Sequence, residues 1–109
     1  MGRLTLTPEL LGLIAERFKA LAEPARLHIL ATLRQGEMTV GELATAVGFG
    51  QANVSKHLQV LHAQRFVNRR KDGLFVRYAL ADRSVFELCD LMCGRIEAET
   101  KARRKLLAV

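Results

Sequence analysis

Cys89 and Cys93, the two cysteines of the 109-residue chain, stand four apart in FELCDLMCGRI. On a helix that spacing puts both sulfurs on one side, one turn apart and about 40° around the axis. Three chemistries are open to them. They can pack as small apolar groups in a helix interface. As thiolates they can converge on one soft ion or trivalent arsenical, because thiolate is the ligand that thiophilic metals select. Under oxidant or reactive sulfur species they can be bridged; Cα atoms one turn apart lie about 6 Å from each other, within disulfide range, but helical Cβ directions strain the bond unless extra sulfur atoms lengthen it. Asp90 and Glu97 flank the pair and disfavour a thiolate in the free protein, an effect that a bound cation or arsenical reverses. Two sulfurs are too few for a tetrahedral zinc site within one chain. They suit an acceptor with two open valences, or a four-sulfur site shared by two copies.

A second group of residues bears on polyanions. The chain carries 17 Lys and Arg against 11 Asp and Glu, a net charge of +6. The excess is local: residues 51–80 hold Lys56, Arg65, Arg69, Arg70, Lys71 and Arg77 against Asp72 alone. Such a patch attracts nucleic acid, the commonest polyanionic partner. Within it, QANVSKHLQVLHAQ puts Val54, Leu58 and Leu61 on one stripe and turns Gln51, Asn53, Ser55 and Lys56 elsewhere, with Gln59 and His57 flanking. Gln and Asn pair bidentately with adenine and Lys reaches guanine or phosphate, so this set is suited to reading base edges. Ser55 and His57 serve equally well as groups that touch phosphate and fix the helix. Arg69, Arg70, Lys71 and Arg77 suit phosphate contact better than base readout. His28, inside a helical pattern, is expected to be half-buried and structural, and His62, at the end of one, an exposed cap.

These residues need elements to hold them. Thr7 and Pro8 cap and open a first helix whose apolar face is Leu10, Leu11, Ile14, Phe18 and Leu21. Pro24 restarts a second, with Leu27, Leu30, Ala31 and Leu33 at helical spacing and Gly36 as its stop. Thr39 and Glu42 form a capping box for a short third helix through Leu43 and Val47. The turn Gly48–Phe49–Gly50 then leads at once into the fourth. A short helix, a glycine turn and a helix with one apolar stripe and a polar basic face is the helix-turn-helix layout. From about Phe66 the period changes to two, and Asp72-Gly73 signals a hairpin between strands at about 66–71 and 74–80. A basic hairpin directly after a recognition helix is a wing, lying along the phosphate backbone or in a minor groove. Ser84 and Glu87 make a second capping box for a fifth helix, whose broad apolar arc is Val85, Phe86, Leu88, Cys89, Met92, Cys93 and Ile96. The basic tail KARRKLLAV reads as a frayed helix end or a further phosphate contact.

Composition narrows the class. Half the residues are apolar and 26% charged, as in a folded helical domain, here expected as one unit over 1–109. No run nears the roughly 20 apolar residues of a membrane span. The N-terminus lacks the apolar core and cleavage site of a signal peptide, so the expected setting is the cytoplasm, where the cysteines stay unpaired or ligate. No nucleophile with a positioned base and no glycine-rich phosphate loop is visible, and mid-helix Cys-x-x-x-Cys is not the oxidoreductase Cys-x-x-Cys at a helix start. An enzyme is therefore not expected.

With these elements in order, the chain resembles the ArsR/SmtB family of small bacterial transcriptional repressors over about residues 16–96. The likeness is carried by RFKALAEPARLHIL (17–30), TVGELATAVGFGQANVSKHLQVL (39–61) and DGLFVRYAL (72–80), most specifically by Gln-x-x-Val-Ser-x-His-Leu at 51–58. The resemblance implies a mainly α winged helix-turn-helix of five helices and a two-stranded wing. It also implies a homodimer, paired through the first and last helices, that occupies a palindromic operator on double-stranded DNA and leaves it when an inducer binds. The chain departs from the family pattern in three places. Gln64 and Arg65 stand where a glycine often follows the recognition helix, which bears on the wing's angle. The end of helix 3 lacks the cysteines of many arsenic and cadmium sensors, and helix 5 lacks the histidines of the zinc and nickel sensors, so neither site carries over. The expected function is a repressor released by a thiophilic metal or metalloid, an arsenical, cadmium or similar, held at Cys89 and Cys93, with no obligatory cofactor. The alternatives are sensing of oxidant or reactive sulfur by the same thiols, a repressor with no metal ligand, and a nonspecific DNA-coating protein.

Overall fold

Thr7 opens the first helix as expected: in the computed structural model, which describes residues 5–107, its Oγ1 accepts the N–H of Leu10 at 3.2 Å, and Pro8 takes the first turn of α1 (Pro8–Leu21). Residues 1–4 and 108–109 of the expected 1–109 unit lie outside the described residues. The second helix, α2 (Pro24–Leu33), also begins on a proline. The Thr39–Glu42 capping box is formed at the start of α3 (Val40–Val47): the Glu42 N–H donates to Thr39 Oγ1 at 3.1 Å and the Thr39 N–H to Glu42 Oε1 at 2.9 Å. Gly48, at φ 78°, ends α3 in the left-handed region, and α4 (Gln51–Ala63) starts three residues later.

The core lies between α2, α3 and α4 and is closed by the sheet and the first turn of the last helix. Ile29, Leu30 and Leu33 meet Leu43, Ala44 and Val47, and Val54, Leu58 and Leu61 are each fully buried against them. Burying a Leu or Val side chain contributes about 1.5–3 kcal/mol, so this stripe fixes which face of α4 is turned outward. On α2 the observed inner face differs from the expected one. Leu27 and Ala31 are exposed, while Ile29 and Thr32 are buried, and the Thr32 hydroxyl donates to the His28 carbonyl at 2.8 Å. The same-helix bond satisfies a polar group that burial would otherwise penalise.

The wing has three strands where two were expected. Antiparallel β2 (Val67–Asp72) and β3 (Phe75–Leu80) form the hairpin, and β1 (Met38–Thr39) pairs the far edge of β3, giving the order β1-β3-β2. Two residues show no legible period, so β1 has no sequence signature. Asp72 pairs with Phe75, so the two-residue turn is Gly73–Leu74 and not Asp72–Gly73. Gly73 has φ 62° and Leu74 a negative φ, the φ signs of a type II′ turn.

At the end of α4 the Phe66 N–H bonds to the Leu61 carbonyl at 2.9 Å, and Arg65 takes φ 65°. The cap is the usual left-handed one, made by a residue with a Cβ. The last helix, α5 (Val85–Leu107), runs 23 residues, so the basic tail is helical through Leu107. Its start is not the Ser84–Glu87 box: Asp82 Oδ1 accepts the Ser84 N–H at 2.9 Å, and the Glu87 N–H goes to the Ser84 carbonyl at 3.0 Å. The bond from the Ser84 N–H, and secondly that from the Ser84 hydroxyl, hold the Asp82 carboxyl below its ordinary pKa. Val85 and Phe86 are the buried residues of α5, and the Arg34 guanidinium lies 4.3 Å over the Phe86 ring.

Candidate nucleic-acid interface and thiol groove

The outer face of α4 carries Asn53, Lys56 and Gln59, all exposed, with Ser55 and His57 half-buried at its sides. Gln51 is exposed at the first position of α4, but its amide leans on α3: a Cβ built on Gly41 would meet Gln51 Nε2 at 3.6 Å. His57 is engaged as well, its Nδ1 lying 3.3 Å from Arg26 Nη1. With Arg26, Val60 and Ala63, residues Asn53, Lys56, His57 and Gln59 line an open hollow of 490 Å³. His28 is exposed, in edge-to-face contact with Phe49 at 6.4 Å, and His62 is half-buried, so the two histidines exchange their expected environments.

Strand register sorts the four wing cations into two pairs. Residues directly opposite share a face of the sheet. Arg69 lies opposite Tyr78 and Lys71 opposite Val76, whereas Arg70 lies opposite Arg77. On the latter face the charges are already answered. Arg70 makes a two-pronged ion pair with Glu37, one prong Nε to Oε2 at 3.1 Å and the other Nη2 to Oε1. Arg77 Nε reaches Asp72 Oδ2 at 2.7 Å, and its Nη1 lies 3.6 Å from Glu42 at the start of α3. Arg69 and Lys71 are exposed and make no ion pair among the described residues. The hydrogen bond from Arg70 and its charge hold Glu37 below the ordinary carboxylate range, and the Arg77 bond does the same for Asp72. Glu42 is lowered by the Thr39 backbone N–H first, with Arg77 adding to it. Both arginines are raised in turn. Glu37 was not singled out in the sequence and Glu42 was read only as a helix cap, because ion pairing across more than 30 positions leaves no local pattern.

The cysteines occupy a different face. Cys89 is half-buried against the edge of the core and Cys93 is exposed. Both line an open apolar groove of 780 Å³ between α1 and α5, with Phe18, Leu21, Leu27, Met92 and Ile96. Glu97 stands at its rim, but among the described residues no three His, Cys, Asp or Glu side chains come together as a metal site. Residues four apart on a helix have Cβ atoms about 5–6 Å from each other. The donor set therefore fits an acceptor that takes two sulfurs and does not fit a tetrahedral ion within one chain. No helix among the described residues is long and apolar enough to cross a membrane.

A recognition helix in a helix-turn-helix, followed by a basic three-stranded wing, defines a winged helix-turn-helix, and comparison with known proteins agrees. The family profile "Bacterial regulatory protein, arsR family" matches residues 23–69. The chain is 40% identical over 86 residues to the transcriptional repressor SmtB homolog of Synechocystis, a match covering 74% of this chain and 65% of that relative, so it spans just under two thirds of that protein. Among solved structures, a homodimeric winged helix-turn-helix DNA-binding domain from Mycobacterium bovis superposes with a TM-score of 0.74 at 34% identity, covering 89% of this chain and 90% of that one. The AntR antimony-specific transcriptional repressor superposes at 0.73 with 33% identity and 92% coverage of both chains. The chain belongs to the arsR family of bacterial regulatory proteins, whose members are winged helix-turn-helix transcriptional regulators and not enzymes.

Proposed function

We propose that the chain acts in the cytoplasm as a homodimeric repressor. It holds a palindromic operator through α4 and the wing, and leaves when a monosubstituted trivalent arsenical joins Cys89 to Cys93. The observation that carries the reading is that both sulfurs open into one apolar groove between α1 and α5, the two helices with the largest unpartnered apolar faces. The likeness to an antimony-specific repressor supports it, since trivalent antimony and arsenic share a preference for thiolates. The chemistry balances without a redox step. In R–As(OH)2 each hydroxyl is replaced by a cysteine sulfur, each thiol proton leaves with a hydroxyl as water, and arsenic stays trivalent. The apolar lining receives the organic group R.

On the DNA side, Asn53, Lys56, Gln59 and Gln51 read base edges, with Gln51 swinging off Gly41 to do so, while Ser55 and His57 position the helix. Arg69 and Lys71 contact phosphates. Arg70 and Arg77 instead hold the wing against Glu37 and α3.

The test uses the full chain on a labelled promoter fragment, read by fluorescence anisotropy with and without phenylarsine oxide. The wild type is expected to release the DNA, and Cys89→Ser/Cys93→Ser to bind it as tightly and stay bound. Normal release of the double variant sinks the thiol reading. Release by persulfide or peroxide in place of the arsenical, with a matching mass shift on the protein, turns it into the sulfur-sensing alternative. Loss of binding under excess unrelated DNA turns the repressor into a coating protein.

A further inference from the structure

Arg26 sits in the first turn of α2, at the positive end of the helix dipole, where a cation is disfavoured unless something else holds it. Three contacts do so. Its Nε donates to the Ala20 carbonyl at 2.6 Å and its Nη2 to the Lys19 carbonyl at 3.2 Å. These belong to the last turn of α1, which carries the negative end of its dipole; the Lys19 carbonyl also accepts the N–H of the cap residue Ala22 at 3.3 Å. The third arm, Nη1, meets Nδ1 of His57 on the recognition helix at 3.3 Å. A guanidinium only donates, so Nδ1 is the acceptor and the ring proton sits on Nε2. That Nε2–H has no other hydrogen-bond partner among the described residues, and His57 lines the hollow beside Asn53, Lys56 and Gln59.

The last turn of α1 has a second neighbour. Phe18, Leu21 and Ala22 line the groove that contains Cys89 and Cys93, and so does Leu27, adjacent to Arg26. We infer that Arg26 is a positioning residue that fixes the tautomer and direction of His57 for DNA, and that it carries occupation of the thiol groove to the recognition helix. The transmitting half rests on the function proposed above. A ligand wedged between α1 and α5 displaces the end of α1 and with it the two carbonyls that hold the guanidinium. Hydrogen bonds weaken steeply with angle and length, and the rigid planar fork moves as a unit. Nη1 therefore swings off Nδ1, and His57 loses the contact that aims its Nε2–H.

The experiment compares the wild type with Arg26→Lys, which keeps the charge and one cap bond but loses the fork, and with His57→Leu, which leaves the α1 cap intact should the first variant fold poorly. Two readouts are taken: the ratio of operator affinities without and with phenylarsine oxide, and the 15N shifts of the His57 ring. A residue that only caps α1 lowers both affinities alike and leaves the ratio alone. The expected result is a wild-type ratio in the range of about 5–150-fold typical of such couplings, collapsing to near one in both variants. The wild-type His57 is expected with Nδ1 unprotonated and mixed tautomers in Arg26→Lys. An unchanged ratio in the variants overturns the transmitting role, and a proton on Nδ1 in the wild type overturns the positioning one. If the wild type binds the arsenical yet keeps its operator, the thiol reading falls and transmission with it, while the ring shifts still decide the positioning role.

Discussion

A cation's effect on DNA affinity depends on whether it is already spent within the protein. Arg69 and Arg70 are neighbours of the same type on one strand, but Arg70 is held by Glu37 and Arg69 by nothing among the described residues. Each phosphate contact adds about 0.9 to the slope of log affinity against log salt, because it releases condensed counterions. Arg69→Ala, lost from both protomers of a dimer, is therefore expected to lower that slope by about two. Arg70→Ala should leave it nearly unchanged and loosen the wing instead. Operator titrations across a salt series separate the two, and equal losses of slope would mean that DNA takes Arg70 away from Glu37. Simple charge counting treats all four wing cations alike; what distinguishes them is strand register.

At the scale of elements, the end of α4 offers a sharper stability test. Arg65 adopts φ 65°, a conformation that costs an L-residue roughly 1–2 kcal/mol and glycine almost nothing. Part of the relief is offset by glycine's larger unfolded-state entropy. Arg65→Gly is thus expected to stabilise the fold by about 1 kcal/mol, a rise of about 4–8 °C in Tm for a domain of this size, measured by thermal unfolding at fixed protein concentration. The same cap shows where sequence is readable. The Thr39–Glu42 box and the Val54, Leu58, Leu61 stripe rest on spacings of three and four residues, and the structure forms both. The two residues of β1 are too few to show a period. Asp82, two positions upstream, accepts the Ser84 N–H that the expected box assigned to the Glu87 carboxylate. Glu37–Arg70 and Arg26–His57 join residues 33 and 31 positions apart, and only the folded chain brings them together. The cysteine pair was legible as one face of a helix. The groove around it was not, because Phe18, Leu21, Ala22 and Leu27, far away in sequence, close its other side.

The whole molecule is larger than its core. Its radius of gyration is 17.2 Å, against about 13 Å for a compact chain of this length. The excess comes from α5, about 35 Å long by helical rise, which is buried only at Val85 and Phe86. Leu91, Met92 and Ile96 are 68%, 58% and 56% exposed, and on α1 Phe18 is 55% exposed. An apolar surface of that extent on two adjacent helices is unstable in water and is covered most economically by a second copy, which also places two recognition helices on one palindrome. Ile96→Glu puts a charge into that contact without touching the core. Sedimentation should then show a monomer at concentrations where the wild type is dimeric, with helical content retained. Affinity for the full palindrome should drop by at least about 100-fold, toward that of a half-site, because the second half-site no longer binds as an intramolecular event. A variant that stays dimeric and binds as before would assign the α1–α5 face to some other partner, and would leave the two copies joined through another surface.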